Sequence, residues 1–124
     1  DWTVEQGVTI VTAETVHERG PESVVERIRE VVGDGKTYLT FDVDGIDPSM
    51  APGTGTPVIG GLHTWQVRAI LSRLDFVDFV GMDVVEVAPA YDVAEITSLA
   101  AAAVVAFYLS LLAQRGIGLE TMAS

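Results

Sequence analysis

Cysteine is absent from this chain of 124 residues. That excludes a disulfide framework and thiolate metal sites, and it fits a reducing, cytoplasmic compartment. Positive charge is scarce: 7 Lys and Arg stand against 18 Asp and Glu, for a formal net charge of −11. Such a surface repels nucleic-acid phosphates and anionic membranes, so neither is an expected partner, and it attracts cations. Histidine occurs only as His17 and His63. The first falls in a connector and the second at a helix entrance, where surface or capping roles are expected of both. Trp2 and Trp65 are expected to pack. The chain begins at Asp1 rather than Met, with no basic, signal-like front. It also lacks internal repeats, linkers and low-complexity segments. Residues 96–113 carry no charge, which raises a membrane span. The run holds Thr97, Ser98 and Ser110 and has no flanking basic anchor beyond Arg115, so a buried core helix is expected instead.

What is present is an apolar fraction of 48%, enough for one domain with a modest core. Residues 8–12, Val-Thr-Ile-Val-Thr, read as a short β-branched strand, and 14–20 as a connector. Pro21 suits a helix start, and Val24, Val25, Ile28, Val31 and Val32 recur at helical spacing until Gly33-Asp34-Gly35. An acidic strand follows at 37–43. Thr64 is expected to cap a helix carrying Val67, Ile70, Leu71 and Leu74. A second apolar strand is expected over 76–87, closed by Pro89, and a last helix over 95–114, ended by Gly116. The order β-α-β-α-β-α predicts an α/β fold, a three-layer α/β/α arrangement with a mostly parallel sheet. Ligands in such sheets bind beyond the carboxyl ends of the strands.

The most informative run is Tyr38-Leu39-Thr40-Phe41-Asp42-Val43-Asp44-Gly45-Ile46-Asp47-Pro48. Strand alternation puts Asp42 and Asp44 on one face, with Cα atoms about 6.5–7 Å apart. Two carboxylates so placed repel each other and lose hydration unless a cation offsets them. A pair of divalent ions about 3.5–4 Å apart fits that gap and is a hydrolytic device. The same residues also resemble a calcium loop, but the position that should be a bidentate Glu is Gly53. Ordinary turn chemistry remains a competing explanation, and Asp47 before Pro48 is expected to organise backbone. Thr40, on the acidic face, is a candidate to support a ligand. Glu86 stands at the end of the second apolar strand, sharing a face with Met82 and Val84. It calls for either a guanidinium ligand or a structural ion pair with Arg68 or Arg73.

After the acidic strand comes Ser49-Met50-Ala51-Pro52-Gly53-Thr54-Gly55-Thr56-Pro57-Val58-Ile59-Gly60-Gly61-Leu62, and later Gly81-Met82-Asp83-Val84-Val85-Glu86-Val87-Ala88-Pro89. Together with the acidic run, these closely resemble the ureohydrolase family of arginases, agmatinases and guanidinobutyrases. Gly61 to Trp65 and Pro89 to Asp92 look most like bacterial agmatinases. The resemblance implies a binuclear Mn²⁺ centre in the whole enzyme. In it Asp42 bridges both ions, Asp44 binds one of them, and Glu86 holds the substrate guanidinium. Asp83 matches a motif position too, and is expected to hydrogen-bond protein backbone or support the site rather than bind a metal. It implies hydrolysis of a linear guanidino compound, agmatine first, to urea and an amine. It also implies a homo-oligomer, trimeric or hexameric.

The family's histidine-bearing metal motifs, of Gly-Gly-Asp-His and Asp-Ala-His-x-Asp type, do not occur in this sequence. The resemblance therefore implies a single partial domain, 1–124, the C-terminal part of a ureohydrolase, inactive by itself. The alternatives are a sister amidinohydrolase acting on guanidinobutyrate or arginine, and a noncatalytic relative of the same fold. Retention of Asp42, Asp44 and Glu86 argues against the last, because buried carboxylates are costly without a cation.

Overall fold

The computed structural model describes residues 2–116. Its elements run α1 (Trp2–Glu5), α2 (Ala13–Arg19), α3 (Pro21–Val32), β1 (Lys36–Asp42), α4 (Thr64–Leu71), β2 (Asp78–Val85) and α5 (Ile96–Gln114), with three short 3-10 turns between them. The fold is α/β. β1 and β2 pair in parallel, and α4 lies in the crossover that a parallel pair requires.

Local chemistry accounts for most boundaries. Thr12 caps α2 by accepting the Thr15 N–H at 3.2 Å. Pro21 takes the first position of α3, where no N–H is needed. Gly33, at φ 53°, ends that helix and donates its N–H to the Arg29 carbonyl. The core joins Val25 of α3, Val67 and Leu71 of α4, Phe79 of β2, and Val104, Tyr108 and Leu111 of α5. Val43, Ile46 and Val77 are the largest fully buried apolar side chains among the described residues, each contributing about 1.5–3 kcal/mol. Leu39, Phe41, Met82 and Val84 line the core side of the sheet.

Several expectations fail for identifiable reasons. Residues 8–12 form no strand. Val8, Ile10 and Val11 are exposed, and β-branched residues do not make a strand without a ladder partner. The expected connector at 14–20 is helix α2. The sheet accordingly has two strands among the described residues. Thr64 is the first helical residue of α4, not its cap. His63 occupies the cap position, and the Thr64 hydroxyl and N–H turn to the Met50 Sδ. Strand β2 is shorter at both ends than the apolar run suggested. Trp2 and Trp65 are both more than half exposed, so neither is a core residue. α5 buries one stripe, Thr97, Ala101, Val104, Tyr108 and Leu111, while Leu99 and Leu109 are exposed. By length and composition alone it could cross a membrane, but its buried stripe belongs to the core, with Tyr108 edge-on to Phe79 at 5.5 Å between ring centroids.

Candidate active site

Asp42 closes β1, and its ladder partner is Val85, the last residue of β2. Glu86 follows immediately, so carboxylates stand at the carboxyl ends of adjacent strands. The alternation that placed Asp42 and Asp44 on one strand face does not hold, because Val43–Gly45 is a 3-10 turn. A turn, not a pleat, relates the two acids. The Asp42 Oδ1 accepts the Asp44 N–H at 2.9 Å, and Val43 between them is fully buried. The two oxygens of Asp44 differ. Its Oδ2 accepts the Thr56 hydroxyl, whereas its Oδ1 is buried with no hydrogen-bond partner among the described residues. A buried carboxylate oxygen without a donor is costly, and a hard cation is the ligand that suits it.

Asp47 is structural, as its position before Pro48 suggested. It accepts the Ser49 hydroxyl at 2.5 Å, the Ser49 N–H at 2.9 Å and the Gly60 N–H at 2.8 Å. Led by the Ser49 hydroxyl, these bonds lower its pKa to about 2. The carbonyl of Gly60 in turn faces His17 Nε2 at 3.1 Å. The Oε1 of Gln66 takes the His63 N–H at 2.9 Å, so its amide NH₂ faces His17 Nδ1, at 3.2 Å. His17 thereby carries its proton on Nε2, and both histidines serve the loop and the α4 entrance.

Glu86 sits at φ 68°, a region that disfavours side chains with a β-carbon. This break in the strand conformation also ends the face it was expected to share with Met82 and Val84. Glu86 is exposed, and neither candidate ion pair forms. Arg73 binds Glu22 at 3.2 Å, and Arg68 lines a groove between α4 and α5. The Thr40 hydroxyl does not support a metal ligand either. It donates to Asp83 Oδ1 at 2.5 Å, and the Tyr38 hydroxyl donates to Asp83 Oδ2 at 3.1 Å.

The loop after β1 joins the two acidic strand ends. Gly53 donates its N–H to the Thr97 hydroxyl at 2.8 Å and accepts the Ala88 N–H at 2.7 Å, while Thr56 reaches Asp44. Asp92 anchors the far side, accepting the Thr97 N–H at 2.8 Å, the Ser98 N–H at 2.8 Å and the Ser98 hydroxyl at 2.7 Å. Desolvation raises the Asp92 pKa, but the donors of Ser98 and Thr97 outweigh it and bring it to about 2. Sequence reasoning assigned no role to Thr56 or Asp92. The available signal for Asp92 was an acid followed by Thr97-Ser98 at a helix start, displaced from ordinary cap spacing by the turn Val93–Glu95.

The Arginase family model matches residues 1–110. The chain belongs to the arginase family. It is 52% identical over 100 residues to the agmatinase of Photorhabdus laumondii, covering 81% of this chain and 33% of that protein. In structure it is similar to a hypothetical agmatinase from Burkholderia thailandensis, with a TM-score of 0.87 and 52% identity over 90% of this chain and 35% of the other. It is likewise similar to the proclavaminate amidino hydrolase of Streptomyces clavuligerus, with a TM-score of 0.87 and 41% identity over 90% of this chain and 38% of the other. The chain thus spans about one-third of the length of the curated arginase-family relative it matches.

The arginase-family assignment implies manganese, and the donors present fit a hard divalent cation: two carboxylates at one strand end, one with a buried, unpartnered oxygen. They do not complete a site. Among the described residues no cluster of three or more His, Cys, Asp or Glu is placed to hold a metal ion.

Proposed function

We propose that this chain is the C-terminal third of a manganese-dependent, cytoplasmic ureohydrolase that converts agmatine to putrescine and urea. The observation that carries this reading is the buried Oδ1 of Asp44, without a hydrogen-bond partner among the described residues, in the turn that follows β1, with Glu86 following the adjacent strand β2. Asp42 and Asp44 supply oxygen ligands to the metal, and the upstream part of the complete protein supplies the remaining ligands. Bound manganese provides Lewis acidity and lowers the pKa of water to near neutrality. Glu86 takes the planar guanidinium in a bidentate, charge-assisted pair and so fixes its orientation. Thr56 holds Asp44 in orientation, as outer partners of metal ligands do. The isolated chain lacks the full donor set and is inactive. The complete protein is a homo-oligomer, a trimer or hexamer.

The second reading is a sister amidinohydrolase for another guanidino compound. The 41% identity to a proclavaminate amidino hydrolase favours keeping it. Urea release by the complete Mn²⁺-loaded protein from agmatine, 4-guanidinobutyrate and arginine separates the two. Turnover of agmatine alone supports the first, preference for a guanidino acid supports the second, and no urea from any of them overturns both. Appreciable urea from the purified 124-residue chain overturns the claim that the chain alone is inactive.

A further inference from the structure

The ladder between β1 and β2 is irregular at one point. Thr37 pairs with Phe79, but Tyr38 pairs with Gly81, so Val80 is the extra residue of a β-bulge. That one residue decides which side of the sheet every later β2 side chain takes. Without it Asp83 would lie opposite Phe41, on the core side, and Met82 opposite Thr40. With it Asp83 lies opposite Thr40 and accepts the Thr40 hydroxyl at 2.5 Å and the Tyr38 hydroxyl at 3.1 Å. Gly81 makes room for this. A β-carbon there would sit 2.8 Å from the Tyr38 ring, so the ring lies directly over the glycine on its way to Asp83.

The bulge also decides the site. In the observed register Asp42 pairs with Val85, and Glu86 follows one residue beyond. In the unbulged register Asp42 would pair with Val84, and Glu86 would start a residue farther along the strand, a shift of about 3.3 Å. We propose that Asp83, held by Thr40 and Tyr38 across the bulge, is a positioning residue that sets the distance between the metal-side Asp42 and the guanidinium-side Glu86. This rests on the hydrolase reading above. Asp83 touches neither substrate nor metal. It acts by making the bulged register the one in which its carboxylate is satisfied.

The test is steady-state kinetics of the complete Mn²⁺-loaded protein, with its guanidino substrate and with manganese per chain measured alongside. The variants are Asp83→Ala, Asp83→Asn, Thr40→Val and Tyr38→Phe. A misplacement of about 1 Å costs up to about 100-fold. Asp83→Ala is expected to raise KM and lower kcat, together by at least about tenfold, at unchanged manganese content. Asp83→Asn should recover part of both, and Thr40→Val should lose more than Tyr38→Phe. A purely structural role would reduce the active fraction, and so apparent kcat, while leaving KM alone. KM within about twofold of wild type in all folded variants overturns the proposal. If Asp83→Ala does not fold, Thr40→Val and Tyr38→Phe decide by the same KM criterion, since each removes one hydroxyl and leaves the other. A wild-type protein with no turnover overturns the hydrolase reading, and the positioning role with it. An active wild type with unmoved KM in the variants overturns the positioning role alone.

Discussion

Gly53 lies against Asp92 so closely that a β-carbon on the glycine would stand 2.6 Å from the Asp92 Cβ and 2.8 Å from its Cα. The contact joins the loop that follows β1 to the segment that follows β2, and both segments carry a carboxylate of the site. Neither atom is the far end of a flexible side chain, so the position has no room to yield. Gly53→Ala should therefore destabilise by about 1–3 kcal/mol, the usual range for overpacking. It should also weaken substrate binding, because the bond from Ala88 to Gly53 holds the start of the Glu86 loop. Thermal denaturation and KM of the same variant check both effects.

Acid should destabilise the protein through Asp92 and Asp47. Each titrates at about 2 in the folded chain against an ordinary value of 3.8. Their stabilising contribution is complete above 3.8 and is lost as pH falls from there through about 2, because the unfolded chain then binds more protons. Melting temperature followed from pH 5 to pH 2 on metal-free protein should fall more steeply for wild type than for Asp92→Asn. Equal slopes would mean the hydrogen bonds from Thr97 and Ser98 do not hold the carboxylate ionised.

Removing a metal-side carboxylate should abolish turnover without unfolding the chain. Asp42→Asn and Asp44→Asn should each lower kcat by more than about 100-fold, the upper end of what loss of an outer partner of a ligand causes. Manganese per chain should fall with it. In Asp44→Asn the buried position keeps its shape and loses its charge, so melting of the metal-free protein should change little or rise. Full activity in Asp42→Asn would exclude this residue as a metal ligand.

Glu86 should trade stability against function. Its backbone lies at φ 68°, a conformation that costs a residue with a β-carbon about 1–3 kcal/mol. Glu86→Gly should relieve part of that cost, a gain of about 1 kcal/mol after glycine's own entropic penalty. It should also raise KM for the guanidino substrate. Glu86→Gln keeps the strain and removes the charge, and should lower kcat/KM about 10–100-fold through loss of a charge-assisted pair. Manganese content should stay unchanged in both. Unaltered KM in Glu86→Gln would place the guanidinium elsewhere.

Much of this was readable along the chain. The valine and isoleucine spacing of α3, its proline start and its glycine end are local facts, and the helix follows them. The uncharged run became α5, and the Asp-Val-Asp-Gly-Ile-Asp-Pro run ended a strand in carboxylates. Asp47 behaved as its proline neighbour suggested. What misled was period without a partner. Residues 8–12 have strand composition but no neighbour to pair with, and the alternation through Asp42 and Asp44 was broken by a turn that its own Asp-Gly dipeptide favours. Asp83 was expected to bond backbone or support the site, and it accepts two hydroxyls from the neighbouring strand.

The sequence by itself determined the class of fold, the family, and which acids stand at the strand ends, because helix periodicity, turn residues and strand propensity act over a few neighbours. Only the tertiary structure decided that one oxygen of Asp44 is buried without a donor, that Glu86 leaves the strand in a left-handed conformation, and that a bulge at Val80 sets the register between them. It also decided that Asp92 caps a helix it precedes by several residues. Each of these depends on which segments pack together. Thr40 and Asp83 meet from positions 43 apart in the chain, and Gly53 and Thr97 from positions 44 apart. No local preference encodes such pairings. They follow from burying one apolar face of the sheet and pairing most of the polar groups left behind.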